Sequence, residues 1–289
     1  MRGFRGLIRN YLPKFIRGES KFSTKLLIYG TMGVIIERKT AIEQEKLLSQ
    51  RHWDILIILD ACRYDYFAEE YRKFFDGKLT KAWSPASGTA PWLKRMFGEY
   101  YPDIQVFSAT PFLNSKGIEI LGYNAVEHFL PENIIDIWDF GWDYSLKTVH
   151  PKYVVETALS KIDFQKRQII WFLQPHGPWI GNPKIIPPPM AKGTMFDEGI
   201  VPLLRKGKIS LKKFRDAYRG NLRLVLKYVS KLIDELPKDK KIVVSADHGE
   251  LLGEYGSFLH YSFLTVPELR EVPYLIVGGK YGEKYNFKD

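Results

Sequence analysis

Side chains able to serve as acid, base, nucleophile or metal ligand recur in this sequence where apolar runs stop. Ile242–Ala246 leads into Asp247-His248-Gly249-Glu250, a carboxylate beside an imidazole, with a glycine behind them that gives the backbone room to turn. Ile55–Leu59 leads into Asp60 and then Ala61-Cys62-Arg63-Tyr64-Asp65. A carboxylate directly beyond a buried strand is costly unless a cation or hydrogen-bond donors receive it. Trp171-Phe172-Leu173 leads into Gln174-Pro175-His176-Gly177-Pro178-Trp179, a stiff loop that suits His176 to an anionic group or a leaving oxygen. His260 follows His248 by twelve residues, which permits a loop that folds back over the same place.

A hydroxyl completes the set. Thr89, with Ser87 as the second choice, stands in Ser87-Gly88-Thr89-Ala90-Pro91 ahead of a helical segment, where a helix dipole favours an incoming anion. Threonine is a poor nucleophile at neutral pH and needs a metal or a base. The same residue also reads as a plain N-cap with Pro91 in the first turn. Each of the other stretches has an equally plain reading: Asp, His and Gly are ordinary turn residues, and Arg63 can pair with Asp65 to brace its loop. Cys62 reads as a small buried filler, and His52, His128 and His150 as ordinary residues. What favours chemistry is that several strand ends carry matching groups, because open α/β sheets bind ligands in the crevice beyond the strand carboxyl ends.

The elements that must position these groups are legible as an alternation. Strands are expected at Ile55–Leu59, Ile104–Ser108, Ile169–Leu173, Ile242–Ala246 and Tyr274–Val277, several of them too uniformly apolar to face water on one side. Helical patterns lie between, predicting an α/β three-layer sandwich whose central sheet is mostly parallel. The best helix is Leu211–Leu236, where Phe214, Tyr218, Leu222, Val225, Val229, Leu232 and Ile233 form an apolar stripe. Gly181–Lys208, with prolines 183, 187, 188, 189 and 202, reads as a cover over the strand-end face.

The 289 residues, 45% hydrophobic and 15% aromatic, suffice for a real core. The single cysteine excludes an internal disulfide framework or a cysteine zinc cluster. Of the net charge of +10, residues 1–40 supply +7, so no nucleic-acid footprint is spread over the body and no nucleic-acid partner is expected. Residues 1–50 are an N-terminal helical extension and 51–289 the catalytic domain. Within the extension, residues 1–17 form a basic amphipathic pattern interrupted by Pro13, either a peripheral contact with an anionic membrane or a helix packed on the body. Leu26–Ile36 is about half of the ~20 residues a spanning helix needs, and no signal peptide is seen. The expected location is cytoplasmic, peripheral if residues 1–17 meet a membrane.

In these motifs the sequence resembles the alkaline-phosphatase superfamily in its sulfatase-like hydrolase and phosphotransferase branch. The resemblance rests on residues 59–65, Ser87-Gly88-Thr89, residues 174–179, Ser245-Ala246-Asp247-His248-Gly249-Glu250-Leu251-Leu252-Gly253-Glu254, His260 and Val272-Pro273-Tyr274-Leu275-Ile276, in order and spacing from about residue 53 to 278. It implies one divalent metal held by Asp60, Asp247, His248 and the nucleophile Thr89, with His176 and His260 (and Ser87 as a further contact) meeting the substrate. Manganese or zinc suits one imidazole with two carboxylates, and magnesium is compatible. Sulfatases in the branch make an aldehyde nucleophile from a Cys or Ser followed two positions on by Pro and four on by Arg. Here Ser84 has Pro85 next and Gly88 four on, which favours phosphate over sulfate esters. Two-metal members carry an Asp shortly before the histidine matching His176; residues 171–175 hold none, so a second metal site is not expected. The single-metal, threonine arrangement looks closer to lipoteichoic-acid synthase and phosphoethanolamine transferases, which act beside spanning helices. The expected substrate is a small or a glycan- or lipid-linked phosphate ester, with a sulfate ester, or a non-catalytic metal-containing binding protein, as the alternatives.

Overall fold

A computed structural model describes residues 42–50, 53–187, 199–262 and 264–278. The expectations placed on residues 1–17, on 26–36, on His52 and on 188–198 of the cover lie outside those residues. An eight-stranded sheet is built from β1 (Ile42–Glu43), β2 (Ile55–Leu59), β3 (Gly77–Trp83), β4 (Ile104–Ser108), β5 (Ile134–Asp136), β6 (Arg167–Phe172), β7 (Ile242–Ser245) and β8 (Glu271–Val277). Their spatial order is β1, β3, β8, β7, β2, β6, β4, β5. Every residue of β2, β4 and β7 is buried, so both faces of the sheet are covered, as the unbroken apolar run of β2 predicts; Gln105 and Ser108 of β4 and Ser245 of β7 are buried polar residues. Five labelled helices flank it: α1 (Gln44–Gln50), α2 (Tyr64–Glu70), α3 (Thr89–Met96), α4 (Pro151–Lys161) and α5 (Leu211–Glu235). Helix α5 packs on α4 and α2, while α1 and α3 meet each other where the Trp92 indole donates to Gln44 Oε1 at 2.8 Å.

The sheet is parallel except at one strand. β8 runs antiparallel to both of its neighbours, β7 and β3, whereas β7, β2, β6, β4 and β5 are successively parallel. β3 was not expected as a strand, because Lys78, Thr80 and Lys81 interrupt any apolar run. Its strand state comes from pairing with β8 over seven residues, Gly77 opposite Val277 through Trp83 opposite Glu271. Here tertiary pairing outweighs local pattern. β6 begins two residues earlier than expected and stops at Phe172, and β8 begins three residues before Tyr274.

α5 forms where the apolar stripe lies, with Ser210 as N-cap accepting from Lys213 N at 3.2 Å. Gly220 in its middle is not a weak spot but a contact. A Cβ there would lie 2.2 Å from the Asn182 carbonyl oxygen, so only glycine lets the 175–182 loop rest on the helix. Under the strand ends, Trp92 and Trp171 pack edge to face, 5.6 Å between ring centroids, in the core shared by the sheet and its helices.

Candidate active site

The register of the two central strands brings the two acids together. β2 and β7 are parallel with Ile57 beside Val244 and Ile58 beside Ser245, and the same offset carried two residues further sets Asp60 beside Asp247. Both strands are there because Ile55–Leu59 and residues 242–244 are apolar and buried, and both acids lie just past the strand ends. Gly249 is required for the turn that follows, since a Cβ would meet the Glu268 carbonyl oxygen at 2.0 Å. Asp247 is held from three sides: Oδ1 accepts from Ala61 N at 3.1 Å and from His248 N at 2.9 Å, and Oδ2 accepts from the Thr89 hydroxyl at 2.8 Å. The Trp171 indole donates to Asp60 Oδ2 at 3.3 Å.

Thr89 does not cap its helix. Gly88 occupies the N-cap position without a side-chain bond, and Thr89 is the first helical residue, with its hydroxyl donated to Asp247. The expected N-cap reading is corrected accordingly: α3 delivers this hydroxyl to the acids. Gly88 allows the close approach, since a Cβ there would lie 2.5 Å from Ser262 Oγ. Ser87 turns elsewhere, its hydroxyl donating to the Tyr261 carbonyl at 3.0 Å.

His248 decides what the cluster can hold. Its Nδ1 lies 2.8 Å from the Gly249 carbonyl, which can only accept, so Nδ1 carries the proton and Nε2 presents a lone pair. Burial, and then the neighbouring His260, keep the imidazole neutral well below the usual histidine range. Yet Nε2 is buried without a hydrogen-bond partner, 3.3 Å from Asp247 Oδ2 and 3.9 Å from Asp60 Oδ1. Burial also raises both carboxyls, Asp247 to about 8 with Asp60 adding to the effect. Three electron-rich atoms within 4.8 Å of one another, all dry, repel unless a proton or cation lies among them. These residues fit a divalent cation, with two carboxylate oxygens, one imidazole nitrogen and a hydroxyl oxygen as donors.

His176 and His260 stand over this cluster. The His260 ring is 4.2 Å from that of His248 and 5.3 Å from that of His176. His260 Nδ1 lies 3.2 Å from Glu250 Oε1, and His176, Glu250 and His260 form a second group with ligand atoms within 4.8 Å. Residues 171–175 hold no acid, and the one beside His176 is supplied from beyond β7 by Glu250. Glu250 is fully buried and its Oε2 has no hydrogen-bond partner.

Three residues take a supporting role that the sequence reading does not give them, Tyr218 being read there only as part of the apolar stripe. Asn221 is buried on α5, its Oδ1 accepting from Ile180 N and Gly181 N at 3.0 and 3.2 Å. Its Nδ2 donates to the carbonyls of His176, Pro175 and Pro178 at 2.9, 3.2 and 3.3 Å. One amide therefore fixes the loop that carries His176; the signal was a polar residue inside the apolar stripe. The Tyr218 hydroxyl accepts from Arg63 N and donates to Ala61 O, holding Ala61 at a φ of 56°, a left-handed conformation that alanine adopts at a cost. Gln44 donates to Ser245 Oγ and Ala246 O, tying α1 to β7 below the acids. Arg63 pairs with Asp65 and Glu254, which bears out the brace and links the Asp60 loop to that of His248.

No family model and no curated protein matches the sequence. Among solved structures the chain is similar to the soluble domain of lipooligosaccharide phosphoethanolamine transferase A from Neisseria meningitidis. That match has a TM-score of 0.54 and 12% identity, covering 81% of this chain and 78% of that one. The integral membrane protein of the same name and organism gives a TM-score of 0.56 at 13% identity, covering 100% of this chain and 60% of the other, so this chain spans about three fifths of its length. A phosphonate monoester hydrolase of Agrobacterium radiobacter gives 0.48 at 14% identity, covering 78% and 68%. Among the described residues no helix is long and apolar enough to cross a membrane.

Proposed function

We propose that this chain, which has the α/β fold of the alkaline-phosphatase superfamily, is a divalent-metal-dependent enzyme that hydrolyses or transfers phosphate-ester groups through Thr89. The observation that carries the reading is the Thr89 hydroxyl bonded to Asp247 Oδ2 at 2.8 Å, beside an unprotonated, unpartnered His248 Nε2. Asp60, Asp247, His248 and Thr89 would hold the cation, which would supply Lewis acidity to the phosphoryl oxygens and ease loss of the threonine proton.

The chain's own residues account for the rest. Asp247 Oδ2 accepts the hydrogen bond of the Thr89 hydroxyl and takes its proton as the oxygen attacks. In-line attack forms a bond from Thr89 Oγ1 to phosphorus as the bond to the leaving oxygen breaks. His176 or His260, entering as an imidazolium, gives a proton to that oxygen and is left neutral, with Glu250 holding His260 in place. Water, or an acceptor alcohol, gives its proton to that neutral imidazole as it displaces Thr89 from phosphorus, and Thr89 recovers its hydroxyl proton from Asp247. The similar transferase is named for a lipooligosaccharide substrate, which supports a glycan- or lipid-linked phosphate ester here. Residues 1–17 would bring such an enzyme to an anionic membrane surface.

The test is a panel of phosphate monoesters, phosphate diesters and sulfate esters with added Mn²⁺ or Zn²⁺, comparing wild type with Thr89→Ala. Phosphate-ester turnover that disappears in the variant is expected. Turnover that survives the substitution, or that is confined to sulfate esters, overturns the reading.

A further inference from the structure

The cations this fold withdraws from water are answered by carboxylates. Arg63 meets Asp65 and Glu254, and Arg219 meets Glu69 and Glu70. Arg270 differs. It is half-buried, its Nε donates to the Ser84 carbonyl, and its guanidinium carbon lies 5.2 Å from the centroid of the Trp83 ring. Among the described residues no carboxylate lies within ion-pair reach of it, and its two terminal nitrogens make no hydrogen bond. Arg95, exposed on the last turn of α3 and likewise without an acidic partner there, is close enough to act on it. Burial, and then the Arg95 charge, lower Arg270 to about 10. A partly desolvated guanidinium stacked on an indole, with its terminal nitrogens unpaired and the charge of Arg95 reaching it, is a receptor for an oxyanion rather than half of a finished ion pair.

The place matters as much as the charge. Glu271 pairs with Trp83, so Arg270 lies at the end of β3 on the sheet edge where Asp60 and Asp247 emerge. Ser84 N donates to the Arg270 carbonyl, and the Ser84 hydroxyl donates to the Asp247 carbonyl, so one residue separates Arg270 from the acid cluster. Along α3, Arg95 is six residues beyond Thr89, about 9 Å at the helical rise. That separation is too large for the group attacked by Thr89 and suits a second group on the same molecule.

We propose that Arg270 and Arg95, with Trp83 as the floor, bind a second anionic group of the substrate, a phosphate or carboxylate about 10 Å from the reacting phosphorus. The substrate class is thereby narrowed to phosphate esters carrying at least two anionic groups, an inference that rests on the phosphate-ester reading of the Thr89 site.

Two binding measurements by calorimetry on the full chain at low ionic strength separate the claims. The first titrates inorganic pyrophosphate into wild type, Arg270→Gln, and Lys212→Gln, which removes an equal charge from an exposed lysine on α5. Affinity falling about tenfold in Arg270→Gln alone is expected, the scale of lost charge-assisted hydrogen bonds. An equal fall in both variants shows diffuse attraction to a basic protein and overturns the site. The second compares hexane-1,6-diol bisphosphate with hexyl phosphate on Mn²⁺-loaded protein. The bisphosphate should bind about tenfold tighter, with that advantage removed in Arg95→Gln/Arg270→Gln and hexyl phosphate binding unchanged. Pyrophosphate binding that needs Arg270, without any bisphosphate advantage, overturns the substrate assignment. Failure of hexyl phosphate to bind wild type instead counts against the phosphate-ester reading, and the pyrophosphate result still decides whether the anion site exists.

Discussion

Cation binding at Asp60, Asp247 and His248 should expel protons, and the amount follows from the burial of the acids. In the metal-free protein, burial and the adjacent Asp60 raise Asp247 from an ordinary 3.8 to about 8. At pH 7 that carboxyl is about nine-tenths protonated, so a cation that needs the carboxylate displaces about 0.9 proton from Asp247, and Asp60, raised in the same direction, adds to it. Apparent affinity for Mn²⁺ or Zn²⁺ should therefore rise at least about tenfold per pH unit up to about pH 8 and flatten above it. The linked stability has the opposite slope. Without metal, the folded chain keeps a proton that the unfolded chain releases near pH 4. The contribution is thus complete below that pH and is lost as pH rises through about 8. Isothermal titration in two buffers of different ionisation enthalpy gives the proton count, and melting with and without cation gives the stability. At a cation concentration of 100 Kd the gain is about 2.7 kcal/mol. Binding that releases no protons, or an Asp247→Asn variant that binds the cation as tightly as wild type, would refute the reasoning.

Further outcomes follow from the same geometry. Thr89→Ala should lower phosphate-ester turnover by about 10³-fold or more while leaving the fold intact, measured by single-turnover kinetics and circular dichroism. Asn221→Ala should raise KM more than it lowers kcat, because the amide that fixes the His176 loop is lost, and should cost about 1–3 kcal/mol of stability in denaturant titration. Tyr218→Phe should destabilise by about 1–3 kcal/mol, since the Arg63 amide and the Ala61 carbonyl lose their buried partner. Gly220→Ala should destabilise, where an ordinary helical glycine-to-alanine replacement gains about 1 kcal/mol, because its methyl enters the Asn182 backbone. A melting temperature at or above that of wild type would argue against this packing.

The sequence made the central strands readable because β2, β4 and β7 are buried on both faces, and a short, mostly apolar run such as β2 can be little else. The acids and histidines were readable for a related reason: a charged residue at the end of such a run is conspicuous. What could not be read was held by partners distant in the chain. β3 is a strand because β8 lies beside it, and its own lysines argue otherwise. The Thr89 hydroxyl looked like a cap until the position of Asp247 was known. Glu250, quoted in the motif, acquires meaning only from a loop that returns His260 to it. Arg270 and Arg95 left no pattern, because their relation is one of space.

The two acids that face each other come from opposite ends of the described chain, and Ala61 and Asp247, which are hydrogen-bonded, are 186 residues apart. A polypeptide still leaving the ribosome therefore has no partial version of this pocket: the first acid must wait until β7 has been synthesised and has paired beside β2, with β8 added after it. Cation uptake becomes a marker of completed synthesis, one that a chain truncated before residue 242 would not display.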